Sequence, residues 1–356
     1  MHYFCRMIWE KYIIDENGTI LDALRKLNEL SGIATTVFAV NSGNKVTGSI
    51  TDGDLRRSLI SGAKLDSPLC TVMHREFKYL FGDSVSVADV RELRRNSITL
   101  VPHLNSDGTV REIYDFTKFY SILPVDAVLM AGGKGERLRP MTLELPKPLL
   151  KIAGKCIIDY NIEALARNGI KNISVTTNYL SEKLEEHFAP EVAGVKVNCV
   201  KEPHRLGTIG SLKLVKSLKQ DNVLVMNSDL LTSINYEDLY MSHIESEAAL
   251  TVATIPYMVS VPYAILKTEG DSITGLEEKP TFNYYANAGI YMIRREMVEL
   301  IPDNEYFDAT DLIEKIIAEG GKINQFPISG TWIDIGSPDD FRQAQELMKQ
   351  HKMLDF

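Results

Sequence analysis

The chain has 356 residues, of which 44% are hydrophobic and 24% charged, and its formal net charge is −9 at pH 7. This length suffices for two or three domains with cores of their own, and the composition is that of a folded protein. The acidic balance argues against a nucleic-acid partner, because general binding to phosphate backbones needs surplus Lys and Arg.

The sequence indicates a cytoplasmic protein with no membrane partner. No apolar stretch approaches the roughly 20 residues that a membrane span needs. The first residues carry Cys5, Arg6 and Glu10 among apolar ones, unlike a secretory signal. The cysteines show no C-x-x-C spacing and no His at ligand spacing, and the seven histidines form no cluster. We therefore expect reduced thiols and no histidine-bound transition metal. The four cysteines are Cys5, Cys70, Cys156 and Cys199.

The first 120 or so residues contain an internal repeat of about 60 residues, with the order helix, strand, turn, strand, helix. The first copy is predicted as a helix over Thr19–Asn28 and strands over Val37–Val40 and Val46–Ile50. The second copy is weaker and is predicted as a helix over Val85–Leu93 and strands over Leu100–Leu104 and Val110–Tyr114.

This repeat resembles a tandem CBS pair, a module that often binds adenosine nucleotides. The resemblance gives a domain over residues 1–122, with one copy at about 8–65 and the other at about 70–122. It implies that Thr51 and Asp54, in the segment T-D-G-D, hold the ribose and phosphate of such a nucleotide. The second copy, at Glu112–Thr117, lacks that spacing, so at most one intact site per pair is implied. The alternative is that both copies only mediate assembly into a homo-oligomer.

A short link at Ser121–Pro124 leads into a second domain over residues 125–356. Its apolar strands alternate with amphipathic helices, which predicts an α/β fold with a Rossmann-like, mainly parallel sheet. Ligands in such sheets bind beyond the carboxyl ends of the strands. The predicted strands are Val125–Met130, Ile173–Thr177, Val223–Met226 and Ala248–Ile255, and the predicted helices are Asp159–Asn168, Ser181–Phe188 and Ile209–Ser217.

A glycine-rich loop follows the first of these strands. Glycines without side chains let a backbone approach an anion closely, and successive exposed N–H groups form an anion-binding concavity. Several cationic residues follow the glycines, and the only carboxylates among them are Glu136 and Glu144. A bound triphosphate would neutralise the remaining positive charge. The glycines are Gly132, Gly133 and Gly135, and the cations are Arg137, Arg139 and Lys147.

The loop is neither of the common nucleotide motifs. A Walker loop needs G-x-x-x-x-G-K-[ST], and the dinucleotide fingerprint needs G-x-G-x-x-G, which G-K-G-E-R-L misses by one glycine. The segment Leu129–Pro148 instead resembles the opening motif of the sugar-1-phosphate nucleotidyltransferases, G-G-x-G-[ST]-R-L-x-P-x-T followed by P-K-P. Glu136 replaces the hydroxyl residue of that motif.

Five later segments match the same family in its own order. Each alone also fits a turn or a helix cap, but six in register make chance implausible. They are Leu206–Ser211 for L-G-T-A-G, Met226–Asp229 for the metal-binding G-D, Glu277–Pro280 for E-K-P, Asn287–Tyr291 for N-x-G-[IV]-Y, and Trp332–Pro338 for W-x-D-[IV]-G-[TS]-P.

The resemblance implies a role for each matched residue. Nucleotide contacts fall on Ala131, Gly132, Gly133, Gly135, Glu202, Gly207 and Thr208. Sugar-phosphate contacts fall on Glu278, Lys279, Asn287 and Gly289. Asp229 and Asp334 would hold Mg²⁺, which prefers carboxylate and phosphate oxygens. Arg137 would stabilise the leaving phosphates, and Lys147 would act near the α-phosphate.

The implied reaction joins a sugar 1-phosphate to a nucleoside triphosphate and releases pyrophosphate. The chain is similar to bacterial guanylyltransferases of surface-sugar pathways, including those acting on glucosamine 1-phosphate for legionaminic acid, which favours GTP. Specificity for UTP, dTTP or CTP is an alternative. A catalytically silent nucleotide sensor is another, although Asp229, Arg137, Lys147 and Asp334 are all present. A glycosyltransferase would need a D-x-D pair, and Asn227-Ser228-Asp229 supplies only its last carboxylate.

Overall fold

The computed structural model describes residues 9–82 and 85–350, so that Cys5 and Arg6 lie outside the described residues. The chain divides into two compact units, Met1–Ile122 and Leu123–Phe356, here called the N-terminal and C-terminal units. Across the described ranges, no helix has both the length and the apolar character needed to cross a membrane.

The N-terminal unit contains two small sheets with the same topology. In each sheet a parallel pair is followed by an antiparallel pair, in the orders β1-β2-β3 and β4-β5-β6. The elements of the first copy are β1 (Ile13–Asp15), α1 (Ile20–Glu29), β2 (Thr36–Val40), β3 (Val46–Thr51) and α2 (Asp52–Ile60). Those of the second copy are β4 (Leu80–Phe81), α3 (Val87–Arg95), β5 (Leu100–Leu104) and β6 (Val110–Asp115).

The two copies are related by a local two-fold axis. Each antiparallel pair carries a register shift at the same place, at Ala39/Val40 in one copy and His103/Leu104 in the other. Lys45 and Thr109 occupy equivalent positions, directly before β3 and β6, and they pair with each other in an antiparallel bridge. A residue that pairs with its own equivalent must lie close to a two-fold axis.

The final helix expected for the second copy does not form in the described part of the chain. Residues 116–118 are a turn instead. The Asp115 carboxylate accepts hydrogen bonds from the backbone N–H and the hydroxyl of Thr117, at 3.1 and 2.5 Å. These bonds close a single local turn at the position where the first copy starts α2.

A seven-stranded sheet forms the centre of the C-terminal unit, in the order β11-β10-β7-β12-β17-β14-β18. Neighbouring strands run parallel except at β17, which is antiparallel to both β12 and β14. The predicted α/β fold with a mainly parallel sheet is therefore confirmed. The strands are β7 (Val125–Ala131), β10 (Ile173–Thr177), β11 (Val197–Lys201), β12 (Asn222–Asn227), β14 (Leu250–Ser260), β17 (Thr281–Arg294) and β18 (Ile323–Pro327).

Helices and short strand pairs complete this unit. Small two-stranded sheets pair β8 with β9, β13 with β19, and β15 with β16. Their bounds are β8 (Lys151–Ile152), β9 (Lys155–Cys156), β13 (Leu230–Thr232), β15 (Ile265–Glu269), β16 (Ser272–Glu277) and β19 (Trp332–Asp334). The helices are α4 (Ile157–Arg167), α5 (Ser181–His187), α6 (Tyr236–Glu245), α7 (Ala309–Ala318) and α8 (Pro338–Gln350).

The helix predicted over Ile209–Ser217 is a short 3₁₀ segment, Gly210–Leu214. The backbone N–H groups of Ile209 and Gly210 both donate to the Phe307 carbonyl, at 3.2 and 3.0 Å. A distant carbonyl thus takes donors at the start of the segment, which the local apolar pattern could not reveal.

The outer halves of β14 and β17, with the β15–β16 hairpin between them, form an exposed extension over residues 256–285, here called the arm. The strand predicted over Ala248–Ile255 extends further than expected, because the apolar core that guided the prediction ends near Thr254 and begins again only at Ala288, in β17.

Candidate active site

The candidate site lies where β7 and β12, adjacent parallel strands, both end. The backbone N–H and the hydroxyl of Ser228 donate to the Met130 carbonyl at 3.2 and 2.7 Å. These two bonds tie the end of β12 to the end of β7. They place Asp229 beside the glycine-rich loop, at the sheet edge where α/β proteins bind ligands.

The glycine-rich loop needs Gly135 for its own packing. Gly135 has φ of +60°, and a Cβ there would lie 3.0 Å from Thr142 Cγ2 and 3.2 Å from Lys147 Cβ. The Thr142 hydroxyl donates to the Gly135 carbonyl at 2.8 Å, which fixes the loop above Lys147. Gly133 differs, since a Cβ there would meet open space. The protein itself does not require glycine at Gly133, whereas a ligand close to the backbone would.

Two carboxylates converge on one buried ammonium. Leu230 in β13 pairs with Asp334 in β19, and the Ile335 N–H donates to the Asp229 carbonyl at 3.2 Å, which brings the two aspartates together. The Lys147 ammonium donates to Asp229 Oδ2 and lies 3.6 Å from Asp334 Oδ1. Lys147 is 9% exposed, so its charge needs these partners.

The charges of the cluster act on one another. Burial raises the pKa of Asp334, the neighbouring Asp229 charge raises it further, and the charges of Lys147 and Arg137 partly offset both. The Arg137 guanidinium packs against Gly336, where a Cβ would lie 2.8 Å from Nη2. The structure thus brings together both predicted metal ligands and both predicted catalytic cations.

Glu202 is a buried carboxylate that lies against the glycine-rich loop at Gly132. It follows β11, its N–H donates to the Thr177 carbonyl at 2.8 Å, and it is 5% exposed. Its Oε1 would lie 2.6 Å from a Cβ built on Gly132. Burial raises the pKa of Glu202, and hydrogen bonds from the Leu206 N–H and the Ser211 side chain lower it by less. A buried carboxylate with spare acceptor capacity is a site for N–H donors of a ligand.

The predicted loop at Gly207 and Thr208 is held against the start of α7. Gly207 has φ of +84°, and a Cβ there would lie 2.4 Å from the Phe307 carbonyl oxygen. The Thr208 N–H donates to Asp308 Oδ1 at 2.8 Å, and the Thr208 hydroxyl accepts from the Ala309 N–H at 2.9 Å. The Thr208 side chain therefore caps α7.

The residues expected to bind the sugar phosphate separate into two groups. Gly289 has φ of +71°, and a Cβ there would lie 2.5 Å from Asn227 Nδ2. Gly289 therefore lies near the end of β12, since Asn227 is two residues before Asp229. The Asn287 side chain accepts from the Gly289 N–H at 2.9 Å. Glu278 and Lys279 are instead exposed on the arm. Within the described residues, no hydrogen bond or ion pair joins them to the Asp229 cluster.

Three supporting residues were missed by the sequence analysis. Asn227 and Ser228 position the end of β12, and their place between an apolar strand and Asp229 was the available indication. The Asn161 side chain, on α4, donates to the Leu230 carbonyl at 2.9 Å and so supports the residue after Asp229. No sequence pattern links Asn161 to a residue so distant in the chain.

The predicted nucleotide residues of the N-terminal unit lie at the start of α2. Thr51 and Asp54 form a capping box there, and Asp54 also pairs with Arg57 at 2.6 Å. A separate cleft of about 610 Å³ lies between α1 and α2 and includes Asp52 and Arg56 in its lining, but neither Thr51 nor Asp54.

The chain matches one family in comparisons with known proteins. The Nucleotidyl transferase family model matches residues 126–351. D-glycero-alpha-D-manno-heptose 1-phosphate guanylyltransferase of Aneurinibacillus thermoaerophilus is 30% identical over 233 residues, which are 64% of this chain and all of that protein. Mannose-1-phosphate guanylyltransferase catalytic subunit beta of Danio rerio is 31% identical over 224 residues. That match spans 60% of this chain and 62% of the zebrafish protein.

The fold is also similar to a solved structure, that of HddC from Yersinia pseudotuberculosis. The TM-score is 0.51 at 24% identity, and the match covers 63% of this chain and 99% of HddC. A further structure of HddC is a complex with GMP-PN. The family model covers more than half of the chain, and the chain accordingly belongs to the Nucleotidyl transferase family.

Proposed function

We propose that this protein is a sugar-1-phosphate guanylyltransferase, which converts GTP and a sugar 1-phosphate into a GDP-sugar and pyrophosphate. The observation that carries the proposal is the buried Lys147 ammonium beside Asp229 and Asp334, directly under a glycine-rich loop. The guanylyltransferase names of both curated relatives support the same reaction.

The chemistry needs positioning and charge compensation more than a protein nucleophile. A phosphate oxygen of the sugar 1-phosphate attacks the α-phosphorus, and the bond from that phosphorus to the bridging oxygen of pyrophosphate breaks. The attacking group is already anionic, so the enzyme must bring two anions together and neutralise the accumulating charge. The loop N–H groups and Arg137 would bind the β- and γ-phosphates, and Lys147 would neutralise the α-phosphate.

Asp229 and Asp334 fit a divalent cation with hard oxygen ligands. Their mutual repulsion, which contributes to the raised pKa of Asp334, is the kind of strain that a cation relieves. Mg²⁺ bound there would supply positive charge to the reacting phosphates. Lys147 already supplies one charge in the same place and would hold the carboxylates in position for the ion.

Glu202 gives a physical basis for the choice of GTP. Guanine presents two adjacent donors on its Watson–Crick edge, N1–H and the N2 amino group, which match the two oxygens of a carboxylate. Uracil and thymine present one donor between two acceptors, and those acceptors would face the Glu202 oxygens unfavourably. A buried carboxylate beside Gly132, with acceptor capacity beyond its hydrogen bonds from Leu206 and Ser211, therefore favours guanine. Gly207 and Ala131 would contact the same nucleotide.

The sugar phosphate would bind between the two separated groups of residues. Asn287 and Gly289 would contact the sugar hydroxyls, while Lys279 would hold the phosphate and Glu278 a further hydroxyl from the arm. Glucosamine 1-phosphate, with surface glycan or lipopolysaccharide synthesis as the consumer, is the substrate that the sequence resemblance favours. The silent-sensor alternative is disfavoured because the ionic cluster that chemistry requires is assembled.

We further propose that the N-terminal unit is a CBS pair in a cytoplasmic homo-oligomer. The matched sheets and the local two-fold axis at Lys45 and Thr109 support the pair. Thr51 and Asp54 are proposed to contact an adenosine nucleotide in the first copy only. An assembly platform without a ligand is the competing interpretation of this unit.

Turnover measurements on the full chain would test the reaction and the base together. We expect pyrophosphate release with GTP and Mg²⁺ and at least one sugar 1-phosphate from a panel that includes glucosamine 1-phosphate. Release with UTP, dTTP and CTP should be at least about tenfold slower, since a mismatched buried carboxylate costs 1 to 3 kcal/mol. Glu202→Gln should narrow that preference, because the amide presents one donor and one acceptor. No release with any triphosphate and sugar would refute the proposed reaction, and a preference for UTP would refute the assignment of the base.

A further inference from the structure

A cluster of three potential metal ligands lies outside the site described above. We propose that Cys156, Asp159 and His187 form a binding site for a divalent cation of the zinc class. Their ligand atoms, one each of sulfur, oxygen and nitrogen, all lie within 4.8 Å of one another. This proposal goes against the expectation of no histidine-bound transition metal, which rested on the spacing of histidines and cysteines in the sequence.

Two helices hold the three ligands in place. Cys156 precedes α4 and Asp159 lies in its first turn, so the three-residue spacing places both side chains on one face of the helix. His187 is the last residue of α5. Its Nε2 atom lies 2.7 Å from Asp159 Oδ1, and the Phe188 ring packs edge-on against the imidazole with centroids 4.9 Å apart. Ligands on rigid helices are already oriented before an ion binds.

The ligand set selects the class of metal. Zinc binds Cys sulfur at about 2.3 Å and His nitrogen or carboxylate oxygen at about 2.0 to 2.2 Å, often with three protein ligands and one water. Tetrahedral geometry needs only a small widening of the His187–Asp159 contact and a small approach of the sulfur. A thiolate ligand also favours zinc over Mg²⁺, so the proposed site would not compete for the cation of the Asp229 cluster.

The site is enclosed enough to hold an ion and open enough to admit one. Cys156 is buried, whereas the side chains of His187 and Asp159 are 24% and 16% exposed. As the bonds to the metal form, the thiol proton and any proton on His187 Nε2 leave to solvent, and the sulfur and Nε2 bind the ion through their lone pairs.

Cobalt binding provides a test, because Co²⁺ substitutes for zinc and reports its ligands by absorption. We expect one equivalent of Co²⁺ on the full-length, tag-free protein to give visible ligand-field bands and a near-ultraviolet thiolate-to-cobalt band, both lost on adding Zn²⁺. Cys156→Ser should lose the thiolate band, and His187→Gln should weaken binding. Cys199→Ser is the matched control, since Cys199 is a partly buried thiol outside the cluster.

Alkylation of the wild-type protein tests the proposal without any variant, in case Cys156→Ser or His187→Gln fails to fold. Zinc should slow alkylation of Cys156 in the wild type, as detected by peptide mass spectrometry, without changing the alkylation of Cys70. The double variant Asp229→Asn/Asp334→Asn should keep the thiolate band, which separates this site from the active site. Absence of the thiolate band in the wild type, or its persistence in folded Cys156→Ser, would overturn the proposal.

Discussion

The Lys147 ammonium compensates the negative charge of the two carboxylates in the candidate site. Its ammonium is buried and compensated by Asp229 and, at longer range, by Asp334. Removing a partner from a buried ion pair leaves an uncompensated charge, so the three residues act as a unit rather than as independent contributors. A divalent cation bound between the carboxylates, as proposed above, would join a cluster whose charge is already partly balanced.

The aspartates should be essential for turnover and dispensable for folding. We expect Asp229→Asn and Asp334→Asn each to lower kcat/KM by about 100-fold or more, because each removes a ligand charge at the reacting phosphates. Asp339→Asn is the control, since Asp339 is an exposed carboxylate that pairs with Arg342 on α8. Steady-state kinetics across a Mg²⁺ titration, with circular dichroism for the fold, would measure this. Near-normal turnover at limiting Mg²⁺ would contradict the role of the residue concerned.

The ionised form of Asp334 should also lower the free energy of unfolding. Its folded pKa is raised, so folding favours the protonated carboxyl. The stabilisation of the fold by protonated Asp334 is fully present below the ordinary carboxyl pKa of 3.8. It is lost as the pH rises through the higher pKa that Asp334 has in the folded protein. At pH 7 without metal, Asp334→Asn should raise the Tm, by a small amount because the side chain is 40% exposed and partly screened.

The difference in Tm should shrink as the pH falls towards 4, where Asp334 itself becomes protonated. Thermal unfolding in EDTA across this pH range would measure the effect, with Asp339→Asn again as the control. A lower Tm for Asp334→Asn at pH 7 would show that the pairing with Lys147 outweighs burial and repulsion.

At the scale of elements, sequence pattern predicted what local burial determines and missed what distant contacts determine. The apolar runs at β7 and β10 appear as predicted within a residue, since each is a strand covered on both faces. The predicted helix at Ile209 forms only as the short 3₁₀ segment Gly210–Leu214, whose start is held by a contact with the distant Phe307 carbonyl. The arm was missed for the opposite reason, because its strands are exposed and carry no core periodicity.

The arm should form an interface with a second copy of the chain. Tyr257 pairs with Tyr284, and Val259 with Phe282, so these four side chains share one face of the two-stranded ribbon. Tyr257 is 59% and Tyr284 57% exposed. A two-stranded ribbon is marginally stable alone, and an apolar face of this kind marks an interaction surface. A self-complementary contact across a two-fold axis would cover it, in agreement with the proposed homo-oligomer.

The double variant Tyr257→Ser/Tyr284→Ser should shift the protein towards monomer at micromolar concentration, as measured by sedimentation equilibrium. Ile317→Ser is the matched control, because it removes an exposed apolar side chain, 60% accessible, from α7 outside the arm. A wild type that is monomeric throughout the micromolar range, or a double variant with unchanged mass, would contradict this assignment.

At the scale of the whole molecule, the chain joins a catalytic unit to a unit made of two similar copies that differ at their ends. The first copy continues from β3 into α2 through the Thr51–Asp54 cap, while the second ends in the Asp115 turn. We therefore expect one nucleotide position in this unit rather than two. This asymmetry was visible in the sequence, whereas the pairing of Lys45 with Thr109 was not.

We expect the N-terminal unit to bind an adenosine nucleotide through Thr51 and Asp54, and occupancy to change guanylyltransfer. Coupling must be reciprocal in binding free energy, typically about 1 to 3 kcal/mol, so substrate should alter nucleotide affinity by the same factor. Calorimetric titration of AMP, ADP and ATP into the wild type, with and without GTP and Mg²⁺, would measure both affinity and coupling.

Asp54→Ala needs a control for its structural effect, because loss of a helix cap costs about 1 kcal/mol by itself. Asp22→Ala supplies it, since Thr19 and Asp22 form the same capping box at the start of α1. We expect Asp54→Ala to abolish nucleotide binding and Asp22→Ala to preserve it. Loss of binding in Arg56→Ala but not in Asp54→Ala would move the ligand to the cleft between α1 and α2. No saturable binding by the wild type would leave this unit as an assembly platform, because a two-fold module without a ligand retains only its surfaces for contact.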